Sequence, residues 1–146
     1  MRIVGEWQLC DDEVTRPTVR AKVLGSDGNL VAEDFLLDTG ADRTVLSAVL
    51  LARLRLPVSS ASPGLTLSGI GGTSDGVLVT SVIEFMRDDG TPIRVRGTFA
   101  GFTDPGATDL SILGRDVMDN FDLIISRQRG EIVLLAPSHQ YRIERN

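Results

Sequence analysis

Cysteine, histidine and large aromatic residues are almost missing from this chain, which has one Cys, one His, one Trp, one Tyr and five Phe in 146 residues. A single thiol, Cys10, cannot close an internal disulfide. It precedes Asp11-Asp12 with no cation beside it in the sequence to stabilise a thiolate, so it reads as inert. His139 sits in a polar C-terminal stretch without a Cys or second His nearby, which argues against a metal site. A basic excess is missing too. The 15 basic and 20 acidic residues leave a formal net charge of -5. No clustered basic face is available to neutralise phosphates, which argues against a nucleic-acid partner. No apolar run approaches the roughly 20 residues of a membrane span, and Met1-Arg2-Ile3-Val4-Gly5-Glu6 lacks the apolar region of a signal peptide. The expectation is a soluble cytoplasmic protein with no metal, cofactor, nucleic-acid or membrane partner. Its length fits one domain over residues 1–146, enough to bury a core without disulfide or metal staples.

What is present is strand pattern. Apolar and polar residues alternate through Val19-Arg20-Ala21-Lys22-Val23, and Ser26-Asp27-Gly28-Asn29 makes a turn before Leu30-Val31 and the run Phe35-Leu36-Leu37. A second pair, Val77 to Phe85 and Ile93 to Arg96, is joined across Asp88-Asp89-Gly90. A third, Phe121 to Ile125 and Glu131 to Leu135, brackets Arg127-Gln128-Arg129-Gly130. Helix signals are confined to Ala48–Leu54, with Ser47 as N-cap and Pro57 as a stop, and to a turn or two from Arg115 to Asn120. Many short strands with close turns predict an all-β, closed or nearly closed antiparallel barrel with one or two short helices. Trp7 reads as a packing residue.

The most informative stretch is Phe35-Leu36-Leu37-Asp38-Thr39-Gly40-Ala41-Asp42, where a buried strand ends in a carboxylate held by a tight turn. Placing a carboxylate near a core is costly unless it is bonded or paired, so Asp38 is a candidate for chemistry. Asp27, Asp75 and Asp89 lack an apolar strand leading in and read as turn residues. Two further segments stand out. Leu67-Ser68-Gly69-Ile70-Gly71-Gly72-Thr73-Ser74-Asp75-Gly76 is dense in glycine and is compatible with a lid, a phosphate cradle or a flexible hairpin tip. The cradle needs a strand before the glycines, a helix after them and usually a Lys; here a strand follows and no Lys is near. The second is Ser111-Ile112-Leu113-Gly114-Arg115-Asp116, in which the glycine would let another backbone pass closely and an Arg115–Asp116 ion pair opens a short helix. Ser111 lacks a nucleophile-elbow pattern. A phosphoryl-aspartate enzyme would need further acid or Lys machinery, and Gly40 stands where a second carboxylate would help.

In this order the three segments resemble the retropepsin family of aspartic proteases, which includes retroviral proteases and the catalytic domain of the DNA-damage-inducible ubiquitin-shuttle proteins. Leu36 to Leu46 looks like the family's catalytic loop, Gly69-Ile70-Gly71-Gly72 like its flap, and Ile112-Leu113-Gly114-Arg115 like the segment packed behind that loop. The likeness runs from about Val19 to Leu135. It implies a retropepsin-type barrel with Asp38 as the catalytic residue, Thr39 and Gly40 supporting the loop, and Thr39 bonding across a dimer. It also implies that Ala41, Asp42, Gly69, Ile70, Gly71 and Gly72 bind substrate. Asp42 also has Arg115 as a candidate ion-pair partner. Pocket walls are expected from Ala41, Arg43, Val45, Ile70 and Ile112, which suggests apolar side chains flanking the cut, with Arg43 adding an acidic preference. The helix at Ala48 to Leu54 is longer than retroviral relatives have there, and the strand Glu131 to Leu135 continues past where they end. Viral members dimerise by interleaving short termini, so the extra strand leaves the dimer contact open here.

This chemistry uses one carboxylate as general base on a water and a second, protonated, as general acid. The chain has one Asp-Thr-Gly. The expectation is therefore a homodimeric aspartic endopeptidase acting on a peptide or protein, with Asp38 from each copy sharing a proton and activity favouring mildly acidic conditions. The alternative from another class is a catalytically idle retropepsin-fold binding or dimerisation module.

Overall fold

In a computed structural model of the chain, residues 2–59, 66–69, 72–137 and 139 are described. The strands in chain order are β1 (Arg2–Val4), β2 (Glu6–Leu9), β3 (Thr15–Leu24), β4 (Leu30–Leu37), β5 (Val45–Leu46), β6 (Thr66–Gly69), β7 (Gly72–Met86), β8 (Pro92–Phe102), β9 (Ser111–Leu113), β10 (Asp122–Ser126) and β11 (Glu131–Leu135). Helix α1 spans Ala48–Leu54 and α2 spans Arg115–Met118. One sheet runs β2-β3-β4-β9-β5-β8-β7-β6, and a further β3–β7 pairing closes six of its strands into a ring. The closed, mainly antiparallel barrel expected from the strand pattern is present. It differs in two pairings, because β4–β9 and β5–β8 are parallel. At the closure Lys22 stands opposite Glu84, and Arg94 Nε donates to Glu84 Oε2 at 2.7 Å. Opposite charges therefore meet where the register must be right.

Period-two alternation sorts the strand faces. In β3, Val19, Ala21 and Val23 are buried while Arg20 and Lys22 are exposed. In β4, Phe35 and Leu37 are buried and Leu36 between them faces the other side. With Ile83, Phe85, Leu113 and Val117 they form the main core, where Phe85 and Phe121 meet edge to face at 5.7 Å. Helix α1 keeps its predicted bounds: Ser47 accepts from Leu50 N, and Arg55 adopts a left-handed conformation (φ 52) with its N–H bonded to Leu51 O. The helix ends on that cap, before Pro57 acts.

A second sheet, β1-β11-β10, packs Ile3, Leu123, Ile132 and Leu134 against the same core. Gly5 joins the two sheets. A Cβ there would lie 2.4 Å from Thr18 O and 2.7 Å from Ile132 Cγ2, so only glycine lets the chain pass from β1 to β2. Trp7 lies partly buried against the core; its Nε1 donates to Ser126 O at 3.1 Å and the Arg127 guanidinium lies 5.2 Å from its ring centre. No helix among the described residues is long and apolar enough to cross a membrane.

Candidate active site

Strand β9 lies between β4 and β5, pairing in parallel with one (Phe35↔Ser111, Leu37↔Leu113) and antiparallel with the other (Val45↔Ile112). The chain leaving β4 must therefore cross the end of β9 to reach β5. Residues 38–44 make that crossing, and Asp38 is its first residue. Asp38 N donates to Leu113 O at 3.2 Å, Arg115 N to Ala41 O at 2.8 Å and Asp116 N to Asp42 O at 3.3 Å, so the crossing loop is tied to the start of α2 by backbone bonds. Gly114 is where the two segments touch. A Cβ there would sit 2.3 Å from Arg43 C and 2.5 Å from Arg43 O, so any larger residue collides with backbone.

Thr44, fully buried, holds the far end of the loop. Its N and Oγ1 both donate to Asp116 Oδ1, at 2.9 and 2.7 Å, and its Oγ1 accepts from Gly114 N at 3.0 Å. The same Asp116 oxygen accepts from Val117 N at 2.9 Å. Arg115 and Asp116 thus do not pair with each other, as their adjacency in sequence suggested. Asp116 turns inward to Thr44, and Arg115 donates through Nη2 to Asp42 Oδ1 in an exposed ion pair. Behind the loop, Ser47 Oγ and Ser111 Oγ each donate to Glu33 Oε2 at 3.0 Å, and Ser111 Oγ accepts from Ser47 N at 2.9 Å. This links β4, β9 and the N-cap of α1. Asp116, Thr44 and Glu33 escaped sequence reading because their partners lie far off in the chain: Thr44 and Asp116 are 72 positions apart, Glu33 and Ser111 78. Only Ser47 carried a local signal, its capping position.

Asp38 itself is half-buried, and Gly40 N donates to its Oδ1 at 3.0 Å. Its other oxygen has no partner among the described residues. Thr39, Gly40, Asp42 and Arg43 are exposed and Ala41 is half-buried. Neither Thr39 nor Arg43 has a side-chain bond among the described residues. Val45 and Ile112 share a small apolar cluster with Leu78, Ala100 and Phe102, separate from the main core. Beside Leu36 opens a cleft of about 440 Å³ between the β2–β3 turn and residues 106–110, with Leu9, Cys10 and Leu110 in its walls. Arg16, also in that wall, pairs with Asp12 at 2.6 and 2.7 Å and interacts with Cys10. The absence of a cation near Cys10, expected from its sequence neighbours, is therefore corrected: β3 brings one from six positions away.

Gly69 and Gly72 are cross-strand partners at the inner end of the β6–β7 hairpin, while Ile70 and Gly71 lie outside the described residues. Strands on both sides of these glycines, with no helix following, remove the phosphate-cradle reading. No group of three or more His, Cys, Asp or Glu side chains suited to a metal ion occurs among the described residues, and His139 pairs with Asp122.

Comparison with known proteins places this arrangement. The chain is similar over 92% of its length to 89% of a retropepsin-like aspartic protease from Rickettsia conorii, with a TM-score of 0.61 and 17% identity. It matches the EIAV protease, solved with the inhibitor HBY-793, at 25% identity and a TM-score of 0.51 over 71% of this chain and 86% of that one. The retroviral protease-like domain of Ddi1 from Leishmania major matches at 12% identity and a TM-score of 0.50, covering 87% and 99%. A search of curated proteins found no match. The family model described as aspartyl protease matches residues 19–117, from β3 through the Asp38 loop to α2. The retropepsin-like fold and this match together show that the chain belongs to the aspartyl protease family.

Proposed function

We propose that two copies of this chain form an aspartic endopeptidase in which the paired Asp38 carboxylates activate one water. The observation that carries the reading is the crossing loop. It presents a half-buried carboxylate with one oxygen held by Gly40 N and the other free among the described residues, on a backbone braced by β9 and α2. One such group is half of what the chemistry needs. With a second Asp38 across a twofold axis, repulsion prevents both from ionising, and the pair shares a proton. The ionised Asp38 takes a proton from water as the water oxygen adds to the peptide carbonyl carbon, and the protonated Asp38 gives its proton to the carbonyl oxygen. Collapse of the tetrahedral intermediate, with a proton passed to the amide nitrogen, breaks the C–N bond.

Thr39, exposed and without a side-chain bond among the described residues, is suited to bond across the twofold axis. Gly40, Ala41 and Asp42 would hold substrate backbone, and Gly69, Ile70, Gly71 and Gly72 would close over it as a flap. The apolar cluster at Val45 and Ile112 supports apolar side chains flanking the cut. Arg43, exposed and unpaired among the described residues, is free to meet an acidic one.

Wild-type and Asp38→Asn proteins on a peptide library between pH 4 and 7 test this reading. The expected result is cleavage by the wild type, biased to apolar flanking residues, and loss of at least about a thousandfold in kcat/KM for the variant. Equal cleavage by both would end the proposal. A wild type that binds but never cuts, at concentrations where it is dimeric, would identify the idle binding module instead.

A further inference from the structure

Strand β4 places a carboxylate on the row of side chains that faces the core. Val31, Glu33, Phe35 and Leu37 share that row by the period of two. The three apolar members pack in or against the main core, while Glu33 stands half-buried opposite buried Ala21. A charge on such a row is costly unless its oxygens are satisfied. Glu33 Oε1 accepts from Asp34 N at 3.3 Å, and Oε2 accepts from the hydroxyls of Ser47 and Ser111, each at 3.0 Å. Both serines are buried, and each hydroxyl already accepts from a backbone amide: Ser111 Oγ from Ser47 N at 2.9 Å and Ser47 Oγ from Leu50 N at 3.2 Å. The two hydroxyl protons therefore converge on one carboxylate oxygen.

These residues come from the three strands that carry the Asp38 loop. Glu33 lies within β4, Ser111 opens β9 and Ser47 directly follows β5. Because β4 and β9 run parallel and β5 runs back against β9, the three meet on the side of the strands remote from the loop. The loop side has its own bonds, from Thr44 to Asp116 and Gly114 and from Asp38 N to Leu113 O. Between the two sets stand Val45 and Ile112, cross-strand partners in the small apolar cluster.

We infer that Glu33 is a positioning residue for the substrate-pocket wall: as the shared acceptor of Ser47 and Ser111 it clamps β5 and β9 away from Asp38 and so sets where Val45 and Ile112 stand. Its consequence for substrate rests on the protease reading of Asp38; the bonds that make the clamp do not. The two sets of bonds divide the work. Without the clamp, Asp38 keeps its bonds to Leu113 O and Gly40 N, while the wall is free to shift. Contacts to side chains flanking the cut are then lost from bound substrate and transition state alike, which raises KM and leaves kcat nearly unchanged.

Steady-state kinetics of three variants test the clamp on a cleaved peptide with apolar residues flanking the cut. Glu33→Met keeps an unbranched chain of similar length and removes the acceptor, whereas Glu33→Gln keeps an oxygen able to accept from both hydroxyls. Glu33→Met should raise KM at least about fivefold with kcat within about twofold of wild type, and Glu33→Gln should return KM to within about twofold. Ser111→Ala removes one donor and adds no bulk to the core, so it carries the test if Glu33→Met does not fold. It should raise KM in the same direction, and with Glu33→Met the combined effect should fall short of the product of the two, because they share a bond. In protein without substrate, amide exchange in β5 and β9 should quicken at least about tenfold in Glu33→Met or Ser111→Ala, with the Asp38 amide close to wild type. Unchanged KM in Glu33→Met and Ser111→Ala, a fall in kcat without a rise in KM, or Glu33→Gln as impaired as Glu33→Met would overturn the inference. A wild type that cleaves no peptide would defeat the protease reading instead. Exchange then decides the clamp alone: quickening confined to β5 and β9 upholds it, and unchanged exchange removes it.

Discussion

Two anchors join the Asp38 loop to α2, and they are built from opposite materials. The inner one joins buried Thr44 to buried Gly114 and to Asp116, itself exposed, through buried and part-buried hydrogen bonds that share acceptors. The outer one, Asp42 to Arg115, is an ion pair whose side chains are 79% and 52% exposed. A buried donor left without an acceptor carries its full desolvation penalty, whereas an exposed pair gains little over its hydrated parts. The inner anchor therefore sets where the loop lies. The outer one leaves Asp42 at the surface, available to a ligand with small consequence for the fold.

The sharpest way to break this contrast is at the closest approach. Gly114→Ala pushes a methyl into Arg43 backbone and should destabilise by about 3 kcal/mol in chemical denaturation, with any cleavage activity lost in parallel. Next, Asp116→Ala leaves the buried Thr44 N and Thr44 Oγ1 short of an acceptor, and about 2–3 kcal/mol is expected from the same measurement. A loss below about 0.5 kcal/mol would show that the inner anchor is not what positions the loop. At the outer anchor, Arg115→Met and Asp42→Asn should each cost under about 1 kcal/mol. If Asp42 holds substrate, Asp42→Asn alone should also raise KM on cleaved peptides, while Arg115→Met raises it less. Equal effects on KM would mean that the pair acts only as a brace.

The smallest effect concerns a second exposed pair. The Arg16 guanidinium, followed by the Val14 amide, holds the Asp12 carboxyl down from an ordinary 3.8 to about 2. A depressed acid stabilises the folded state above its unfolded value. That contribution is complete above pH 3.8 and disappears as pH falls through about 2. Carboxyl NMR should place the Asp12 midpoint near 2, returning toward 3.8 in Arg16→Met with little change in global stability. An unchanged midpoint would remove Arg16 as the cause.

Much of the architecture was legible in the sequence where its signals are local. The turns at Ser26–Asn29, Asp88–Gly90 and Arg127–Gly130 each join the strands expected of them, and Ser47 caps α1 at the expected position. The short strands β1, β2, β5 and β9 were not read, because two to four residues cannot display a period and only their partners make them strands. Gly114 was read as a point of close approach, but the residue it approaches, Arg43, was out of reach. Asp116 was read as a neighbour of Arg115, since adjacency is the only contact a sequence displays directly.

By itself, then, the sequence determined that a carboxylate ends an apolar strand in a glycine turn, that strands dominate, and that three motifs stand in a recognisable order. Only the tertiary structure decided that β9 lies between β4 and β5, forcing the Asp38 loop to cross over it, and that Thr44 and Asp116 hold the crossing. It also decided that Ser111 meets Glu33 behind that crossing. The physical reason is range. Turn chemistry and side-chain period act over a few residues, whereas these bonds join groups more than seventy positions apart, and nothing local in the chain encodes which distant donor will meet which acceptor.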